Sequence, residues 1–302
     1  MSSLDQDLIP VEESKVYVAE TPTPYKDVSC CGCRCAYFSI GNFRVCGHWI
    51  SKPLKPFFII LFFLLLSALG VYDIILYSTN LAQKISLIIV LGIAIICVSI
   101  SYFEVIVIGP SYLPFNYKFR KGPYSWEDMM SSMVVYREQM EFARESERPP
   151  RASFAISARR FVLRADHYCY WTESWIGLTN ARYFLLLLFW VDFYCLYWMA
   201  FHAIWIIYMV NNSGFMWQYI LSAIGFCAII VVASVSGYHT FLSFRDAYHN
   251  WTSLERWKNR VLPVYDLGCL GNFEEICGDR KYRCFWPFPC FISTPMQDGF
   301  YA

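Results

Sequence analysis

The chain has 302 residues, 57% of them hydrophobic and 19% aromatic, with a formal net charge of +1 at pH 7. That composition is too apolar for a soluble globular domain, and the near-zero charge gives no basis for nucleic-acid binding. Thirteen cysteines would suit a disulfide-stapled secreted protein. However, residues 1–50 contain no apolar signal segment, and Cys97, Cys195 and Cys227 lie inside apolar runs. The thiols therefore read as reduced.

Residues 1–29 are acidic, contain Pro and Thr, and lack periodicity, which predicts a disordered tail. Cys30, Cys31, Cys33 and Cys35 follow, with Cys46 and His48 downstream. This spacing is tighter than a familiar zinc finger; lipidation beside a membrane helix and an unmodified segment are the other readings. Lys52-Pro53-Leu54-Lys55-Pro56 closes an N-terminal segment, 1–56.

Apolar runs at 57–77 and 85–108 each approach or exceed the roughly 20 residues a spanning helix needs. Asp73 and Glu104 lie near their ends, where water or a partner helix can solvate them. An arginine-rich loop, 109–182, leads to two further runs at 183–210 and 215–238. A polar tail, 239–302, ends the chain. The two short loops hold only Lys84 between them, so the positive-inside rule places both termini and the central loop in the cytosol. The predicted fold class is an all-α polytopic membrane protein. It has four transmembrane helices, with a cytosolic loop between spans two and three. The segments are 1–56, 57–108, 109–182, 183–238 and 239–302. The sequon at Asn211-Asn212-Ser213 is discounted because it abuts the bilayer. A four-span channel would favour paired charges along a pore, whereas Asp73, Glu104 and Asp192 are scattered.

Chemistry gathers just before the third span. Asp166, His167 and Cys169 place an acid, an imidazole and a thiol within four residues at a membrane surface. That set suits nucleophilic attack on a lipid-like substrate. The stretch resembles the signature of the DHHC protein S-acyltransferases (palmitoyltransferases) in its rarer Asp-His-Tyr-Cys form. Trp171, Gly177, Asn180, Tyr183 and Phe184 stand where that family continues into its third span. Arg148-Pro149-Pro150-Arg151 resembles the family's lead-in. Thr252 to Glu255 resembles its Thr-Thr-x-Glu motif with Ser253 in second place, and is also a helix capping box. Residues 263–278, around Asn272, resemble its C-terminal motif. The resemblance covers roughly residues 57–280.

The resemblance implies acyl transfer from a long-chain acyl-CoA such as palmitoyl-CoA to membrane-proximal cysteines of substrate proteins. Cys169 is then the S-acylated nucleophile, His167 the base and Asp166 its orienting acid. Arg148, Arg151, Arg159, Arg160 and Arg164 are candidate partners of the CoA phosphates. Thr252, Glu255 and Asn272 are structural, holding the tail near the catalytic loop. The implied site is multi-pass, in the endoplasmic reticulum or Golgi. The family's loop binds two zinc ions, but its ligand positions fall here on Glu141, Arg144, Phe154, Ala155, Ala158, Phe161, Tyr168 and Trp175. A zinc-free loop with a small aromatic core is therefore expected. Structural zinc contributes on the order of 10 kcal/mol and each buried aromatic roughly 2–3, so helix packing and the membrane must supply the rest. An inactive DHHC-like scaffold is the alternative reading.

Overall fold

The computed structural model describes residues 29–30, 33–34, 37–39, 42–45, 48–50, 54–78, 80–111, 151–155, 160–212, 217–259 and 263–289. The tail 1–28, Arg148, Arg159, Glu141, Arg144, Ala158, Cys31, Cys35 and Cys46 lie outside them. Five short strands open the described chain. β1 (Ser29–Cys30) pairs antiparallel with β2 (Cys33–Arg34). β3 (Tyr37–Ser39), β4 (Asn42–Val45) and β5 (His48–Ile50) form a meander.

Four long helices follow: α1 (Leu54–Tyr77), α2 (Leu81–Ile108), α3 (Ala181–Asn212) and α4 (Trp217–Tyr248). All four are long and apolar enough to cross a membrane. The protein is mostly helical, as the sequence predicts. α2 begins where the Asn80 side chain accepts from the Ala82 N–H at 2.9 Å, an N-cap that satisfies one orphan donor. The bundle centres on α3, which packs mainly on α2 and α4. Half of its span is buried, against 22–33% for the other three. α4 continues ten residues past the expected end at Tyr238, carrying Ser243, Arg245 and Asp246 beyond the apolar run. Asp246 accepts from Ser253 and Arg256 of the C-terminal segment, so tertiary contacts prolong the helix after hydropathy stops favouring it.

Lipid is as apolar as leucine, so helices in it associate through close packing and polar contacts rather than water exclusion. Both occur here. A Cβ on Gly70 of α1 would stand 2.1 Å from the Trp198 Nε1 of α3, so only glycine admits that indole. Asp73, fully buried, accepts from Ser222 of α4 at 2.9 Å and meets His202 Nε2 of α3 at 2.9 Å. The scattered acid of the sequence is thus a three-helix tie. Ser67 and Tyr194 join α1 to α3 at 3.3 Å.

Between α2 and α3 lie two antiparallel hairpins. β6 (Ser153–Ala155) pairs with β7 (Arg160–Val162), and β8 (His167–Cys169) with β9 (Ser174–Ile176). After α4 come α5 (Ser253–Trp257), a 3-10 turn (Pro263–Tyr265), α6 (Gly268–Cys277) and a second 3-10 segment (Arg280–Phe285).

Candidate active site

The signature residues start a strand, and that sets their geometry. Side chains two apart on a strand share a face, so His167 and Cys169 point one way and Tyr168 the other. His167 Nδ1 lies 3.2 Å from Asp166 Oδ2, and the ring meets Phe184 of α3 edge-on at 4.9 Å. Cys169 is 4% exposed, at the mouth of the helix bundle core. The Asp166 backbone is fixed at both ends: its N–H donates to Ile176 O at 2.9 Å and its carbonyl accepts from Leu254 N at 3.0 Å. Its carboxylate also accepts the Ser253 N–H.

These contacts set the charges. Burial works against the Asp166 carboxylate, but His167, the Ser253 N–H and Arg164 outweigh it and hold its pKa at about 2. Burial also works against the His167 cation, but Asp166 and then Cys169 raise it to about 10. For Cys169, burial opposes ionisation. Hydrogen bonds and charge from His167, with hydrogen bonds from Thr172, more than offset that and put the thiol below its ordinary 9.0. These shifts favour the Cys169 anion and the His167 cation beside the part-buried Asp166 carboxylate.

The hairpin is held to the spans. Asn180 accepts the Gly177 N–H at 2.8 Å and donates to Trp175 O at 2.9 Å and Val105 O at 3.2 Å. A Cβ on Gly177 would meet Pro110 O at 2.7 Å and Leu163 O at 2.8 Å, which accounts for the glycine. Glu173 in the β8–β9 turn accepts from the Tyr168 hydroxyl and pairs with Lys55 of α1 at 2.5 Å.

The C-terminal segment forms the floor. Arg151 makes a bidentate pair with Glu255, at 2.7 and 2.8 Å, and donates to Asn250 O at 2.8 Å. Arg164 donates to Asn250 Oδ1 at 2.9 Å. Burial, then the Arg151 charge, lower Arg164 to about 10; Asp166, Glu255 and Glu275 oppose that and keep it cationic. Asn250 itself donates to Tyr265 O at 2.7 Å and to Glu275. Thr252 and Glu255 form a reciprocal capping box on α5. Asn272 accepts from Leu267 N at 2.8 Å and donates to Tyr248 O and Asp266 Oδ1 at 2.6 and 2.7 Å.

This arrangement corrects one expectation. Arg151 and Arg164 are each 6% exposed; Arg151 is bonded to Asn250 and Glu255 and Arg164 to Asn250, so they are not turned toward a phosphate in water. Arg160 begins β7. Sequence reasoning also missed Asn250, Ser253, Thr172, Glu173 and Lys55. Only Asn250 and Ser253 carried any signal, as neighbours of the Thr252–Glu255 pattern.

Among the described residues, the zinc positions carry rings and an alanine in place of Cys and His. Phe154 and Phe161 are cross-strand partners with rings 5.2 Å apart, and Tyr168 and Trp175 are cross-strand partners at 6.1 Å. Ala155 is wholly buried between the hairpins. Aromatic rings fill the places where donors would stand.

Residues 135–260 match the family model described as DHHC palmitoyltransferase. Over these residues the chain is similar to the DHHC family. Among curated relatives, the DHHC-bearing chain is 29% identical over 164 residues to palmitoyltransferase ZDHHC15 of Xenopus laevis, covering 51% of this chain and 46% of that protein. It is 30% identical over 142 residues to protein S-acyltransferase 8 of Arabidopsis thaliana, 43% and 34% of the respective lengths. Against palmitoyltransferase ZDHHC9 of Bos taurus it is 30% identical over 146 residues, 43% and 39%. The chain therefore spans less than half the length of these relatives. The DHHC-family match contains Asp166, His167, Cys169 and the Thr252–Glu255 box.

Proposed function

We propose that the protein is an S-acyltransferase that moves a long-chain acyl group, palmitoyl as the reference case, from acyl-CoA to cysteines of membrane-proximal proteins. The observation that carries this reading is the contact of Cys169 with His167 and of His167 with Asp166. It favours the thiolate without an external base. Cys169 Sγ attacks the thioester carbonyl, CoA leaves with the His167 proton, and a substrate thiolate later takes the acyl group. One thioester replaces another, so the exchange needs no ATP or redox cofactor.

The remaining assignments belong to this reading. The central loop and both termini are cytosolic, in endoplasmic reticulum or Golgi membrane. The acyl chain enters the bundle below Cys169 while CoA stays in water. With Arg151 and Arg164 committed to the tail, the phosphates fall to Arg148, Arg159 and Arg160. The protein holds no zinc in this segment. Substitution of the zinc positions favours a second reading, an inactive scaffold. One experiment separates them: incubation with an alkyne palmitoyl-CoA, followed by hydroxylamine release. Wild type is expected to carry a hydroxylamine-labile label that Cys169→Ala loses. An unlabelled wild type favours the scaffold, and undiminished label on Cys169→Ala removes Cys169 from the role.

A further inference from the structure

Glu173 stands in an unfavourable place twice over. It is the last of four residues in the turn joining β8 to β9, and its backbone lies in the left-handed region at φ 50°. Glycine enters that region freely and a residue with a side chain does not. Its side chain is also only 2% exposed, and a buried charge is costly unless it is paired. Residues in such positions persist because their surroundings hold them, and they gather at working sites.

What holds Glu173 is a clasp across three segments. The Tyr168 hydroxyl of β8 donates to Oε2, and Lys55 Nζ, from the first turn of α1, pairs with Oε1 at 2.5 Å. The same ammonium lies 3.2 Å from the centre of the Tyr170 ring, at the other end of the turn. Tyr102 of α2 donates to Trp171 O at 2.9 Å. Both ends of the turn and its second residue are thus gripped by α1 or α2. Cys169 comes immediately before this turn, and its cross-strand partner Ser174 comes immediately after Glu173. A shift of the turn therefore reaches the nucleophile through one peptide unit on either side.

We propose that Glu173 is a positioning residue for Cys169: clasped by Lys55 and Tyr168, it pins the nucleophile's hairpin to the first turn of α1. This rests on the acyl-transfer reading. The clasp fixes where the sulfur stands relative to His167 and to the mouth of the bundle. Lys55 also neutralises a carboxylate four residues from a thiol that must ionise, and an anion left unpaired there opposes a second one nearby. A side chain of the first span, far earlier in the chain than the signature, thereby becomes part of the geometry of the reaction.

The test uses the full chain in detergent or nanodiscs. Lys55→Met keeps the stem and removes the cation; Lys55→Met with Glu173→Gln removes both charges. Neither touches Arg164, Asp166 or His167, the other charged groups at the hairpin. Two quantities are read: single-turnover autoacylation by palmitoyl-CoA, and the pH profile of iodoacetamide alkylation at Cys169, followed by peptide mass spectrometry. Lys55→Met is expected to slow acylation about 10²-fold, the cost of a misplacement of roughly 1 Å, and to move the alkylation midpoint to higher pH. The double variant is expected to return the midpoint to that of wild type while acylation stays slow, because α1 no longer grips the turn. Should Lys55→Met not fold, Lys55→Gln carries the same expectation. Wild-type acylation in the folded single variant, an unmoved midpoint, or a raised midpoint that the double variant does not return overturns the proposal. Alkylation needs no acyl-CoA, so a wild type that alkylates normally but never acylates overturns the acyl-transfer reading instead.

Discussion

Cys169 and Cys277 are both thiols with less than a tenth of their surface exposed, and their ionisation moves in opposite directions. Burial pushes Cys277 up to about 11, with Arg182 and Arg164 opposing only in part, whereas His167 and Thr172 pull Cys169 down. Partners, not depth, make one thiol a nucleophile. His167→Ala is therefore expected to slow autoacylation at pH 7 by about 10²–10⁴-fold and to recover in part in alkaline buffer, where the unaided thiol ionises. A rate equal to wild type at every pH would remove His167 from the mechanism. The Asp166–His167 pair also links stability to pH. His167, raised from 6.5 to about 10, contributes stability that is complete below 6.5 and lost as pH rises through about 10. Asp166, lowered from 3.8 to about 2, contributes stability present above 3.8 and lost as pH falls through about 2. The pair is at full strength between those two ordinary values. The contact of Asp166, His167 and Cys169 was legible because it lies within four residues. Asn250 was not, because its bonds to Arg151, Arg164 and Tyr265 exist only once distant segments meet.

At the scale of elements, the spans were legible because a bilayer sets their length, and the boundaries of α1 to α3 fall within a few residues of the hydropathy limits. The hairpins were not. Three-residue strands carry too little alternation to register. The substituted residues Phe154, Phe161 and Trp175 gave the better clue, since large apolar rings in place of ligands suggested a packed core. That the rings would pair across strands follows from register, which the sequence leaves open. The tie from β6 to α5 invites a test. Arg151 is buried, and removing its bidentate partner leaves a cation without compensation, which typically costs about 3–5 kcal/mol. Glu255→Ala is expected to lower the melting temperature and weaken acylation. The double change Arg151→Met with Glu255→Leu should recover much of the melting temperature, because it buries no lone charge. A single variant that melts like wild type would show the pair to be incidental.

For the whole molecule, the buried arginines reverse a reading made from charge alone. Counting basic residues in a loop says where phosphate could bind; it does not say which cations the chain has already spent on itself. The same holds for the thirteen cysteines. Among the described residues no three potential ligands gather around a metal position, and ring pairs occupy the described zinc positions of the family. Elemental analysis of purified protein is expected to find no stoichiometric zinc in this segment, and chelators should leave its melting temperature and acylation unchanged. Stoichiometric zinc lost together with activity would overturn that account.

The knot of Arg151, Arg164 and Asn250 also orders events during synthesis. Arg151 leaves the ribosome 99 residues ahead of Asn250 and 104 ahead of Glu255. At 5–20 residues per second, that is a delay of roughly 5–20 s. Throughout it, Asp166, His167 and Cys169 exist in the nascent chain without Ser253 to hold the acid or Glu255 to pair with Arg151. A chain terminated before Ser253 therefore carries Asp166, His167 and Cys169 without the backbone contact that holds the acid.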